Sequence, residues 1–150
     1  MKTPQIKFGI VGIPAPQPRP KATLRHGKVF IYTPPTAAEW RQRVRLAAVG
    51  AIIPKGVVLP LSGPLKLTTS FYLWRPKAHF NSNGTLRADA PNWCPHKPDF
   101  DNLAKAVADE MTECGFWHDD GQIVFSIITK RYSHFNGECG CGVTVEILPE

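Results

Sequence analysis

A chain of 150 residues with 43% hydrophobic content has enough apolar material for one buried core and too little for two, so one domain over residues 1–150 is expected. No apolar run approaches the roughly 18 residues that cross a bilayer, and the start, MKTPQIKFGIVGIPAPQPRP, breaks its short apolar stretch with proline and shows no export pattern, which suits a cytoplasmic protein. The net charge of +6 conceals an asymmetry: residues 1–98 carry 15 Lys or Arg against two acids, and residues 99–150 carry three against ten.

In chain order, residues 6–13 (IKFGIVGI) predict a strand, being rich in β-branched and aromatic side chains. The proline-dense stretch that follows cannot be helix and is expected to form an extended arm. A short strand over 29–32 leads to Thr36, a possible N-cap, and to a helix over 37–49. On that helix Trp40, Val44 and Ala47 or Ala48 recur at helical spacing, while Arg41, Arg43 and Arg45 spread over the exposed sides, where they can meet phosphate. Residues 65–74 (LKLTTSFYLW) alternate as a second strand, expected to pair with the first. The polar stretch 75–97 is too long for a routine connection and reads as a mobile loop. A second helix over 102–114 is expected, capped by Asp101 and stopped by Gly115, with Leu103, Val107, Met111 and Cys114 as its core stripe. Strands over 122–132 and 142–148 complete an α/β fold of the α+β type, a mixed β-sheet with two main helices. Cys94, Cys114, Cys139 and Cys141 lack zinc-ribbon spacing and read as reduced thiols; Cys139 and Cys141 receive no role.

The chemistry lies between His96 and Asp120, HKPDFDNLAKAVADEMTECGFWHDD. Asp99 and Asp101 precede the second helix and Asp119 and Asp120 follow it, so the helix can fold both pairs toward one point. Carboxylates brought close together repel unless a cation lies between them, and Mg²⁺ is the hard cation that takes a few carboxylates and keeps positions open for phosphate and water. A basic surface around such a pocket suits a nuclease; on charge alone, a basic face kept for solubility would look the same. Capping uses one side-chain oxygen, so Asp99 is unexplained by the helix, and so is the Asp119-Asp120 pair, although adjacent aspartates can also form a plain turn. Asp101, Lys105 and Asp109 lie four apart on one helix face, which a surface salt-bridge ladder would equally explain. His118 abuts the pair and could act in catalysis, although a single exposed turn histidine is more often incidental. A calcium EF-hand fails, because Leu103 takes its fifth position and Ala104 the place of its glycine. No phosphate-binding loop and no H-E-x-x-H occur, so no nucleotide cofactor and no zinc protease are expected.

The run Lys97-Pro98-Asp99-Phe100-Asp101-Asn102-Leu103-x-Lys105, then Asp109, Gly115-Phe116, Asp119-Asp120-x-Gln122-Ile123 and Lys130, resembles the RusA family of Holliday-junction resolvases. The resemblance is strong over about 35 residues and weaker around Arg19-Pro20-Lys21 and Tyr32-Thr33-Pro34. It implies a homodimeric, Mg²⁺-dependent endonuclease, often prophage-encoded, that resolves four-way DNA junctions by paired symmetrical nicks during recombination and repair. By matching position it implies Asp99, Asp101 and Asp120 as catalytic metal ligands, Asp119 as a supporting acid and Lys105 as an essential lysine. Phosphate contacts are expected from Arg19, Lys21, Arg41, Arg45, Lys97 and Lys130. A less selective nuclease on flaps or branched DNA, or a non-enzymatic basic DNA-binding module, would share many of these residues.

Overall fold

The computed structural model describes residues 3–32, 37–134 and 138–150. The elements are β1 (Gln5–Val11), β2 (Lys21–Arg25), β3 (Lys28–Tyr32), α1 (Ala38–Val49), β4 (Leu65–Leu73), α2 (Phe100–Glu113), β5 (Ile123–Tyr132) and β6 (Gly140–Ile147). Thr36 lies outside the described residues, and α1 begins after Ala37 without a side-chain cap.

β1, β6, β4 and β5 form one sheet in that order. The expectation that the second main strand pairs with the first is corrected: β6 lies between them, antiparallel to both. β4 and β5 run parallel, which requires a crossover, and α2 supplies it. Along β4 the burial alternates strictly, with Leu65, Leu67, Thr69, Phe71 and Leu73 inside. These side chains join Trp40, Val44 and Ala48 of α1 and Leu103, Val107 and Met111 of α2 in one core. Burying the Phe71 side chain alone contributes about 2–3 kcal/mol.

The proline arm ends in a strand, β2, that the sequence reading missed, and β3 bears out the strand expected over 29–32. β2 and β3 make a two-stranded sheet of their own, joined by His26 and Gly27 at φ 51° and 76°, the two positive values that a tight hairpin turn needs. The stretch 75–97, expected to be a mobile loop, is laced to the body. Buried Arg75 donates from Nε to the Ser133 carbonyl at 2.6 Å and from Nη1 to the Pro91 carbonyl at 2.7 Å. Its guanidinium lies over the Tyr132 ring, and Cys94 N donates to the Lys130 carbonyl at 3.1 Å. The cysteines are free thiols; burial pushes the Cys141 pKa up to about 12 and keeps the thiol protonated. Among the described residues no helix is long and apolar enough to cross a membrane.

Candidate active site

α2 starts two residues earlier than its sequence suggests. Asp99, extended at φ −67° and ψ 141°, is the N-cap, and its carbonyl accepts from Leu103 N at 3.1 Å. The expectation of Asp101 as the cap is thereby corrected: Asp101 lies inside the first turn, where its Oδ1 accepts from Asn102 N at 2.9 Å. The Asp99 carboxylate makes no capping bond at all. An N-cap aspartate normally bonds a first-turn amide, so the helix leaves this exposed carboxylate available. One turn on, Lys105 Nζ lies 3.4 Å from Asp109 Oδ1, an exposed pair worth a few tenths of a kcal/mol.

The approach to Asp99 is fixed from β5. Lys130 Nζ donates to the carbonyl of His96 and, at 2.6 Å, to that of Pro98. With its own carbonyl accepting from Cys94, Lys130 holds residues 94–98 against the sheet at three points. This differs from the expectation of a phosphate-facing Lys130, because its ammonium is directed at backbone carbonyls. Lys97 remains exposed.

Beyond α2 the helix stops at Gly115, φ 81°, with Gly115 N donating to the Thr112 carbonyl and Phe116 N to the Met111 carbonyl, both at 3.1 Å. This is the paired termination that a left-handed glycine permits. Asp119 then caps the short turn Asp120–Gln122: its Oδ1 accepts from Gly121 N at 2.8 Å, while Gln122 Oε1 accepts from His118 N at 2.8 Å and Asp119 N at 3.1 Å. Gln122 Nε2 donates to the Leu61 and Gly63 carbonyls and ties the turn to the body. The Gly121 amide, and after it a hydrogen bond with Asp120, hold the Asp119 pKa below the usual carboxylate range. Asp119 therefore has a structural task, and exposed Asp120 next to it has a lighter one.

Asp119, Asp120, Asp109 and His118 line an open cavity of about 400 Å³, together with Gln17, Arg41, Thr112 and Glu113. Asp99 and Asp101 are absent from its lining. Among the described residues no three His, Cys, Asp or Glu side chains converge as a metal site, so the expectation that the helix folds both aspartate pairs toward one point is corrected. α2 has 14 residues, about 21 Å at the helical rise, with one pair at its start and the other past its end, beside Asp109, Thr112 and Glu113. The donors fit Mg²⁺ in kind, being hard carboxylate oxygens of which Asp99 is unused by its helix; among the described residues they do not converge.

The basic helix also differs from expectation. Glu110, 2% exposed, accepts from Arg41 Nε at 2.7 Å and from Arg45 Nη2 at 3.1 Å, and Glu113 takes Arg45 at 2.9 Å. Arg41 and Arg45 thus clamp α1 to α2 and are not free phosphate contacts, the bond to Glu110 raising the Arg45 pKa further. Arg43 donates to the Val11 carbonyl. Arg19 and Lys21 stand exposed where the proline arm enters β2, and Gln17 N ties that arm to the Asn102 carbonyl at 3.0 Å.

Residues 12–147 match the family described as Endodeoxyribonuclease RusA. The chain belongs to the RusA family of endodeoxyribonucleases. A Bacillus subtilis (strain 168) protein, named Uncharacterized protein YqaN, is 32% identical over 136 residues, covering 85% of this chain and 88% of its own. Sequence reading missed two features of this RusA-family site: the Glu110 clamp and the Gln122 tie. Both left signals, a carboxylate on the apolar stripe of α2 and the Asp-x-x-Gln spacing of a capping box.

Proposed function

We propose that this chain acts as an Mg²⁺-dependent, structure-selective endodeoxyribonuclease that resolves four-way DNA junctions by paired symmetrical nicks, working as a homodimer. The observation that carries the reading is the Asp99 carboxylate, at an N-cap yet free of capping, beside Asp101 in a chain of the RusA family. Asp99 and Asp101 would hold the cation together with Asp120, with Asp119 keeping the turn of Asp120 in shape. When bound, the cation supplies a Lewis acid for the phosphate and an activated water. Lys105 places an ammonium one turn from Asp101 to offset charge developing on phosphate, and Asp109 holds it. Arg19, Lys21 and Lys97 provide sequence-independent phosphate contacts.

The separation of the acids supports the homodimer. If the two pairs cannot meet within one chain, the Asp120 of one copy must face the Asp99 of another, and a two-fold axis then makes two such sites. β5 offers a seat: it ends the sheet, it exposes Val124, Phe125 and Ile127, and the stretch 92–94 meets its far end. Antiparallel pairing over the part of β5 that 92–94 leaves uncovered, residues 123–129, brings the Asp120 end of one strand toward the Lys130 end of the other, where Asp99 is held. Two sites related by one axis suit a junction of matching symmetry.

The test is incubation of a labelled four-way junction, a flap and a linear duplex with protein and Mg²⁺. Nicking confined to the junction is expected, lost in Asp99→Asn and in Asp120→Asn. Mixed dimers of these two variants should recover one complete site and nick one strand. Absence of nicking by the native chain, or variants as active as it, would falsify the reading, while failure of the mixture alone would place all the acids within one chain.

A further inference from the structure

The hairpin β2–β3 has two chemically distinct faces. Its register sets Lys21 opposite Tyr32, Thr23 opposite Phe30 and Arg25 opposite Lys28 on one face, and Ala22 opposite Ile31 and Leu24 opposite Val29 on the other. The first face therefore carries two aromatic rings among three cations, and residues 1–38 contain no acid. Phe30 and Tyr32 are each 49% exposed, and an open cavity of about 500 Å³ runs along Thr23, Arg25, Phe30 and Tyr32. A hairpin that only stiffened the fold would turn its rings toward the core; this one pairs with no other strand of the described residues.

We propose that this face is a stacking platform for unpaired or splayed bases of branched DNA, with Phe30 and Tyr32 against the base planes and Lys21, Arg25 and Lys28 on the flanking phosphates. Nucleic acid is favoured over a protein partner by charge: three cations without a single acid suit a polyanion. Aromatic rings between cations are how single strands are held without sequence preference, since every base has a π face. A perfect duplex hides those faces, whereas a four-way junction can open them at its branch point. The hairpin therefore supplies discrimination between junction and duplex that the aspartates cannot. The proposal rests on the action on branched DNA given above, and concerns binding rather than cleavage.

It is tested by fluorescence anisotropy in EDTA, so that binding is read without nicking, on a four-way junction, a single strand and a duplex of matched length. Phe30→Ala and Tyr32→Ala are expected to weaken junction and single-strand binding at least about fivefold each and to leave duplex binding unchanged. Phe30→Trp should restore affinity, and Phe30→Leu, of similar apolar size, should not. Replacing Lys21, Arg25 and Lys28 by Gln should flatten the salt dependence on all three substrates. The proposal is overturned if Phe30→Leu binds the junction as tightly as the native chain, or if duplex binding falls in step. It is also overturned if sedimentation shows Phe30→Ala losing self-association together with DNA, which would make the hairpin a seat for a second copy. Circular dichroism confirms the fold of each variant. Loss of nicking in Asp99→Asn with these binding results intact separates the failure of one proposal from the other.

Discussion

The two ends of α2 carry the same residue type and use it in opposite ways. At the C-terminal end the Gly115 termination and the Asp119 cap leave few polar groups without a partner, and Gln122 fastens the result to the body. At the N-terminal end the cap position is filled by a carboxylate that caps nothing, and the rigidity comes from outside, through Lys130. Aspartates engaged in holding a turn are poor metal donors, and those held in place by neighbours while their oxygens stay open are good ones. The contrast separates Asp99 from Asp119 more sharply than spacing does.

The largest effect that probes this contrast is at Lys105. If its ammonium meets charge that develops during cleavage, Lys105→Ala should slow single-turnover nicking by about 10²- to 10³-fold and leave junction binding in EDTA unchanged. A rate within a few fold of native would reduce Lys105 to a rung of a surface ladder. Next comes the external brace. Lys130→Met keeps the aliphatic stem and removes both donations to the His96 and Pro98 carbonyls; it should raise the Mg²⁺ concentration for half-maximal nicking by about tenfold, and Lys130→Arg should largely restore it. Should Lys130→Met instead lose DNA binding in EDTA, the lysine contacts phosphate and the brace is incidental.

A stability effect of middling size is expected at the clamp between the helices. Glu110→Gln removes the buried charge that two arginines share and should cost about 2 kcal/mol in denaturant unfolding. Arg45→Ala, which removes a half-exposed partner, should cost less than about 1 kcal/mol. Equal losses would show that the clamp is governed by α1 packing and not by Glu110.

Much of this was legible in the sequence, and the gaps have physical causes. Strand and helix positions followed from local periodicity, as for β4, whose alternation is nearly perfect. The sheet order did not, because pairing β1 with β6 joins residues about 140 apart in the chain through contacts that no local pattern encodes. β2 escaped notice although its residues alternate, because it follows directly on the proline-dense stretch and reads as part of that extended arm. The acids of the site were visible as residue types, and their resemblance to the RusA family was visible with them. Their separation was not: spacing along a chain places residues at the two ends of a helix without saying that nothing folds them back together. Arg41 and Arg45 looked like free cations because the carboxylate that holds them, Glu110, lies 65 or more residues away.

The smallest effect distinguishes two neighbours. Asn in place of Asp119 keeps an oxygen for the Gly121 amide, so Asp119→Asn should change nicking by no more than about threefold, whereas Asp120→Asn should abolish it. The pH dependence follows the same division. Because the Asp119 pKa is depressed by the Gly121 amide and then by Asp120, its contribution to the turn is fully present above the ordinary aspartate range and is lost only as pH falls through the lowered value. The Gly121 amide resonance should therefore hold its native position under acidification until below that range, and titrate earlier if Asp120→Ala removes the second of the two hydrogen bonds. A turn that melts at the ordinary aspartate pKa would return Asp119 to the rank of an open carboxylate and make it an equal candidate for the cation.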